Sequence, residues 1–261
     1  MNEMLEITIW QLVSAYIFIV ILLAVVRWRK ISREKEIVIA TLRMTIQLVL
    51  VGYVLIYIFE HEKMIYSLIV LVIMETFAVY NIYKRSKQKL SKDLKKIIAI
   101  SMFSGTLLAF IYFDFIVVQF SPWYDPRYFI PIAGMLIGNS MTGITLGVSA
   151  LIEGFTSRKK EVEAALMLGA TPNKASQGIV NHAFDAAILP TINSMVGMGG
   201  IVFLPGMMTG GVILSGAGPL EAIKYQIAIM LGITGSVSLS VILFLFLGYK
   251  TFFNKYAQLK W

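Results

Sequence analysis

The sequence predicts an all-α integral membrane protein of about seven transmembrane helices, and three observations carry that prediction. Hydrophobic residues make up 57% of the 261 residues and charged residues only 15%. The mean hydropathy is +0.76, whereas a soluble domain is nearer half apolar and a quarter charged. Apolar stretches of bilayer-crossing length recur along the chain, and the basic residues collect in alternate connections. This composition excludes a soluble enzyme, a secreted disulfide scaffold and a disordered protein. With no cysteine there is no disulfide and no thiolate metal site. Seven spans leave room only for short loops, so 1–261 reads as a single transmembrane domain.

In chain order the spans fall at about 7–26, 37–59, 64–83, 97–120, 129–152, 179–204 and 220–248. The first does not read as a signal peptide. Its flank, Met1–Glu6, carries two acids and no base. The connections at 27–36, 84–96 and 153–178, with the tail after 248, hold 19 of the 23 Lys and Arg. The connections between them hold only Lys63, Arg127 and Lys224. Basic loops stay cytoplasmic, so the amino terminus is expected outside and the carboxyl terminus inside. Juxtamembrane position accounts for the basic runs, and no nucleic-acid partner is expected. Trp123, Tyr124 and Tyr128 read as an outer interfacial belt.

Eighteen of the 20 glycines lie between Gly134 and Gly248. The fifth span carries Gly134-x3-Gly138 and Gly143-x3-Gly147, a spacing that lets helix backbones approach closely. The run 205–219 is interrupted by Pro and Gly throughout. It reads as a re-entrant or gating segment, because irregular backbone at membrane depth survives only under protein cover or beside a wet cavity. Asn139-Ser140-Met141 in the fifth span recurs as Asn193-Ser194-Met195 in the sixth. Amides at mid-depth on neighbouring helices suit a translocation path or, equally, interhelical hydrogen bonding.

Ionisable residues inside spans are costly and face protein or water. Here they are Arg43, Glu75, Asp114 and Asp185. Arg43 and Glu75 lie roughly 9 and 12 Å from the cytoplasmic ends of their spans at 1.5 Å per residue, so they are expected to pair. His182 and Asp185 share one helix face and form a weak metal candidate, a boundary pair being the plainer reading. Met135, Met141, Met195, Met198, Met207 and Met208 offer thioethers in the Gly-rich half, although methionine in spans is mostly packing filler.

The cytoplasmic connection does not read as a simple loop. Glu161–Leu168 is strongly helix-forming, Gly169 sits where a C-cap glycine belongs, and Thr171-Pro172 restarts a helix. Glu163-Ala164-Ala165, three residues, Gly169, nine residues and Ile179 resemble the EAA loop of ABC-transporter permeases. That resemblance implies that Glu163, Ala164, Ala165 and Gly169 dock in a groove of an ATPase subunit. The family's Leu-Pro soon after the Ile is absent, with Asn181-His182 in its place and Leu189-Pro190 later.

Longer stretches, 126–141, 163–170 and 189–211, resemble the FetB family of membrane permeases, which includes a bacterial iron-export permease and plant aluminium-tolerance relatives. The resemblance implies the permease subunit of an ABC exporter, working as a homodimer with two ATPase chains in the cell membrane. The bacterial members imply iron or another metal as cargo, and a plant relative implies a nucleotide sugar. On this reading Asn139, Ser140, Met141, Asn193, Ser194 and Met195 line the path. The chain contains no Gly-x4-Gly-Lys-[Ser/Thr], so ATP and Mg are expected in the partner subunit and no catalytic residue or cofactor is expected here. Two other classes stay open: a secondary transporter with Glu75, Asp114 and Asp185 as proton carriers, and a membrane scaffold or receptor without transport.

Overall fold

The computed structural model describes residues 8–86, 90–199 and 219–260. Among them every regular element is helical apart from one isolated bridge, Phe253 to Leu259. The chain falls into two compact units, Met1–His61 and Glu62–Trp261.

The first unit holds α1 (Ile9–Ala15), α2 (Ile17–Trp28) and α3 (Glu34–Glu60). Thr8 starts α1 with a capping box, its backbone N–H donating to the Gln11 side chain at 2.8 Å. Tyr16, at the joint of α1 and α2, places its hydroxyl 2.5 Å from Thr45 Oγ1 on α3. Most apolar side chains of this unit are exposed, the inverse of a water-soluble core and the arrangement that hydrocarbon solvates.

The second unit holds α4 (Met64–Arg85), α5 (Lys92–Tyr112), α6 (Pro126–Ser157), α7 (Lys159–Met167), α8 (Pro172–Gly199) and α9 (Pro219–Gly248). A π-helical turn, Phe113–Val118, extends α5, and a 3-10 turn, Tyr249–Phe252, extends α9. Side-chain caps start α5 and α6: Ser91 Oγ accepts from Leu94 N at 3.2 Å, and Asp125 Oδ1 accepts from Arg127 N at 2.9 Å with Pro126 at the first helical position. The principal packings are α5 on α9, α6 on α8 and α9, and α4 on α6.

Glycine makes these packings close. A Cβ built at Gly143 would stand 2.9 Å from Val237 Cγ1 and 3.4 Å from the Ala187 carbonyl, and one at Gly147 would stand 3.4 Å from Ala187 Cβ. The second Gly-x3-Gly pair is thus the crossing of α6 with α8 and α9. The first is split, since Gly134 meets Met74 whereas Gly138 faces open space.

Six helical segments among the described residues are long and apolar enough to cross a membrane. They match six of the seven expected spans. The expected sixth span, on α8, is 28 residues long, but Asn173, Lys174, Gln177, Asn181, His182, Asp185 and Asn193 lower its hydropathy. The architecture is that of an all-α, multi-pass membrane protein. The expected gating run at 205–219, with Met207 and Met208, lies outside the described residues except for the backbone of Pro219.

Candidate functional site

The connection expected on the cytoplasmic side is α7, a nine-residue helix between α6 and α8. Its C-terminus is a Schellman turn: Ala170 N donates to Ala165 O and Gly169 N to Leu166 O, both at 3.0 Å. Gly169 has φ +89°, the left-handed region where a side chain is strained. Thr171 then caps α8, its Oγ1 accepting from Lys174 N at 3.4 Å with Pro172 at the first helical position. The helix, stop and restart expected from sequence are therefore all present.

The anchoring of α7 explains which residues it shows to water. Val162 is buried and holds one face of α7 down. Ile179, nearly fully buried, seats on Gly154, where any added Cβ would overlap its side chain. That contact fixes the start of α8 against the end of α6, and so the two supports of α7. Glu163 is half-exposed and ion-paired with Lys159 at 3.9 Å, Ala164 is exposed and Ala165 half-buried. Met167 and Leu168 are 86% and 89% exposed. They are two adjacent large apolar side chains left open beside the basic run and outside the apolar spans. Sequence reading passed over them because apolar residues in a short helix look like its buried face.

The asparagine triplets do not behave as equivalent pairs. Ser140 is fully buried and its Oγ lies 2.9 Å from Ser236 Oγ on α9, so it holds helices together. Met141 is half-buried. Asn139 is exposed, its Nδ2 donating to Met135 O at 2.8 Å. On α8, Asn193 and Ser194 are exposed, with Ser194 Oγ donating to Pro190 O at 3.0 Å. Met195 Sδ accepts from Thr234 Oγ1 on α9 at 3.3 Å.

What joins the two asparagines is a pair of outward faces. On α6, Asn139, Thr142, Ser149 and Glu153 recur at helical spacing and all are exposed. On α8, His182, Asp185, Leu189 and Asn193 do the same, opposite the buried Ala183 and Ala187. Thr142 and Ser149 satisfy their hydroxyls on their own helix, donating to Gly138 O and Thr145 O. Asn139 has that remedy for one amide hydrogen, which goes to Met135 O; a lipid-facing carboxylate or imidazole has none, and polar groups at membrane depth face protein or water. Thr142, Ser149 and Glu153 were missed from sequence, although spacing from Asn139 was available to find them. His182 and Asp185 are both exposed on one face as expected. No group of three or more His, Cys, Asp or Glu able to hold a metal occurs among the described residues.

The intramembrane charges separate by environment. Glu75 is buried between α4 and α5, where Thr106 Oγ1 donates to its Oε1. Its Oε2 has no hydrogen-bond partner among the described residues, and Glu75 lines a cavity of about 10 Å³ with Leu71, Phe103, Leu136 and Ile137. Thr106, not singled out from sequence, is thus a hydrogen-bond donor to Glu75 within the second unit. Arg43 is half-buried in the first unit. Asp114 is buried in the π-helical turn, and neither carboxyl oxygen has a hydrogen-bond partner among the described residues. The aromatic group of the 121–128 connection is assembled: Trp123 packs on Phe115 and Tyr124 with ring centroids 5.7 Å apart, and Tyr128 stacks on Phe120 at 4.7 Å.

The chain is similar along nearly its whole length to membrane proteins from bacteria and plants. It is 35% identical over 254 residues to the "Probable iron export permease protein FetB" of Escherichia coli, covering 97% of this chain and 95% of that one. It is 34% identical to the "UPF0014 membrane protein YjkA" of Bacillus subtilis, covering 94% and 95%. It is also 34% identical to the "Protein ALUMINUM SENSITIVE 3" of Arabidopsis thaliana, covering 93% and 87%. No solved structure matches. The model of the uncharacterised protein family UPF0014 matches residues 9–253, and the chain belongs to that family.

Proposed function

We propose that this chain is the permease subunit of an ABC-type exporter, driven by a separate ATPase chain and carrying a metal cation, with iron the first candidate. The observation that carries the reading is α7. It is a short helix fixed at both ends, anchored by Val162, that presents Met167 and Leu168 to water beside the basic cytoplasmic run. A membrane protein with no phosphate-binding loop needs such a surface if ATP is to move it. ATP and Mg then belong to the partner. The name of the Escherichia coli relative supports export and iron.

The outward polar faces of α6 and α8 support a path shared by two copies. One copy leaves Asn139, Glu153, Asp185 and Asn193 turned away from its own helices, and a second copy supplies the cover that lipid cannot. The acids near the cytoplasmic end favour a cation. The test is reconstitution with the candidate ATPase in proteoliposomes, measuring ATP hydrolysis and efflux for ferrous iron, other divalent metals and a nucleotide sugar. Metal-stimulated hydrolysis with metal efflux is expected. Stimulation by the nucleotide sugar alone overturns the cargo, and full transport without any ATPase chain overturns the ABC reading.

A further inference from the structure

A groove of about 750 Å³ runs along the outside of the second unit between α5 with its π-helical turn and α9. Its walls are apolar, among them Leu108, Val117, Ala228 and Leu231. One ionised side chain lines it, Lys224, in the second turn of α9. Lys224 is exposed and makes no ion pair among the described residues. Glu221, one turn nearer the end of the helix, is not part of the lining. From Lys224 to Leu239 the groove follows α9 for about 22 Å at 1.5 Å per residue, more than one leaflet of a hydrocarbon core roughly 30 Å thick.

The floor carries an independent sign of a missing occupant. Gly232 is a glycine for a reason inside the chain, because a Cβ there would stand 2.6 Å from Phe113 Cδ2. Gly235, one turn on, has no atom of the described residues within 4 Å of where its Cβ would lie. A glycine inside a helix is unfavourable by roughly 0.5–1 kcal/mol relative to alanine. No described neighbour accounts for this one, and its missing side chain deepens the groove.

We propose that this groove is a binding site for an anionic phospholipid of the surrounding bilayer. One acyl chain lies over Gly235 between α5 and α9, and the phosphate meets Lys224 at the headgroup level. The chemistry is amphipathic in the same sense as the ligand. A long apolar trough ends in a single cation whose methylene stem can reach along the trough to the interface. The helix of a second copy would fill the trough without needing that cation, and the polar faces of α6 and α8 are the surfaces that require protein cover.

The test uses the full chain purified in mild detergent with equal amounts of phosphatidylglycerol and phosphatidylcholine of the same acyl composition, with bound lipid counted by native mass spectrometry. The unaltered chain is expected to retain phosphatidylglycerol preferentially. Lys224→Gln should reduce that preference about fivefold, the worth of one lysine at an anionic surface. Gly235→Leu, whose Cβ has no described atom within 4 Å, should remove both lipids while helical content and melting temperature hold. Equal retention of the two lipids by the unaltered chain overturns the proposal. So does full retention by Gly235→Leu, and so does a loss of self-association in that variant with lipid retained, which makes the groove a protein interface.

Discussion

Gly105 is where α5 and α9 come closest, and replacing it with alanine tests whether that crossing sets the stability of the second unit. A Cβ at Gly105 would stand 2.5 Å from Ser240 Cα and 2.6 Å from Ser240 N. Carbon atoms settle about 3.5–4.0 Å apart, so the helices must separate by about 1 Å at this point. The Ser240 hydroxyl also obstructs and could rotate away, but its Cα and N are backbone and cannot. Overpacking of this kind costs roughly 1–3 kcal/mol, and the rigid neighbour places this site in the upper part of that range. Alanine recovers at most about 1 kcal/mol in helix propensity. The net expectation for Gly105→Ala is a loss of about 2 kcal/mol. Gly235→Ala, on α9 with open space before it, is the matched control and should gain up to about 1 kcal/mol. Unfolding in mixed micelles by titrated dodecyl sulfate, followed by circular dichroism, measures both. If Gly105→Ala is as stable as the unaltered chain, or if both variants shift in the same direction, the close crossing does not carry the stability assigned to it.

Thr106→Val leaves the buried Glu75 carboxyl without its hydrogen-bond donor and should cost about 1–3 kcal/mol in the same assay; adding Glu75→Leu should restore most of the loss, because both polar partners are then gone. Met167→Glu with Leu168→Glu should abolish co-purification of the ATPase chain and ATP-driven efflux while leaving membrane insertion and protein level unchanged. Gly169→Val should impair the same two readouts, since a branched residue resists the φ of +89° by roughly 1–2 kcal/mol. Cytoplasmic orientation of the carboxyl-terminal tail, expected from the basic loops, is checked with a terminal reporter that fluoresces only inside the cell, and a reporter active only outside reverses it.

Much of the helix plan was legible in the sequence because hydropathy and charge fix it locally. The spans, the stop at Gly169 and the restart at Thr171-Pro172 depend on neighbours within a few residues. Helix contacts depend on which faces meet, and there the sequence was mute. Gly143 and Gly147 follow the same spacing rule as Gly134 and Gly138, yet only the second pair forms a complete crossing, because Ala187 and Val237 arrive there and nothing arrives at Gly138. Depth says how far Glu75 lies from water but not which side of its helix it occupies, so Thr106, the donor on the helix packed beside it, was not legible from depth.

The same limit explains the candidate path. Asn139 and Ser140 are adjacent in sequence and opposite in role, one turned out of the bundle and one sealed against Ser236. In water the outward residue would be the uninformative one, since polar side chains belong on the surface. In a bilayer the logic inverts: the sealed serine needs only its one partner, whereas the outward amide must be covered or wetted by something beyond the described helices of its own unit. Reading function from this protein therefore means searching its exposed polar faces rather than its buried ones. That is why the function proposed above is built on the outward faces of α6 and α8 and on the exposed apolar tip of α7, and not on the sealed serine pair.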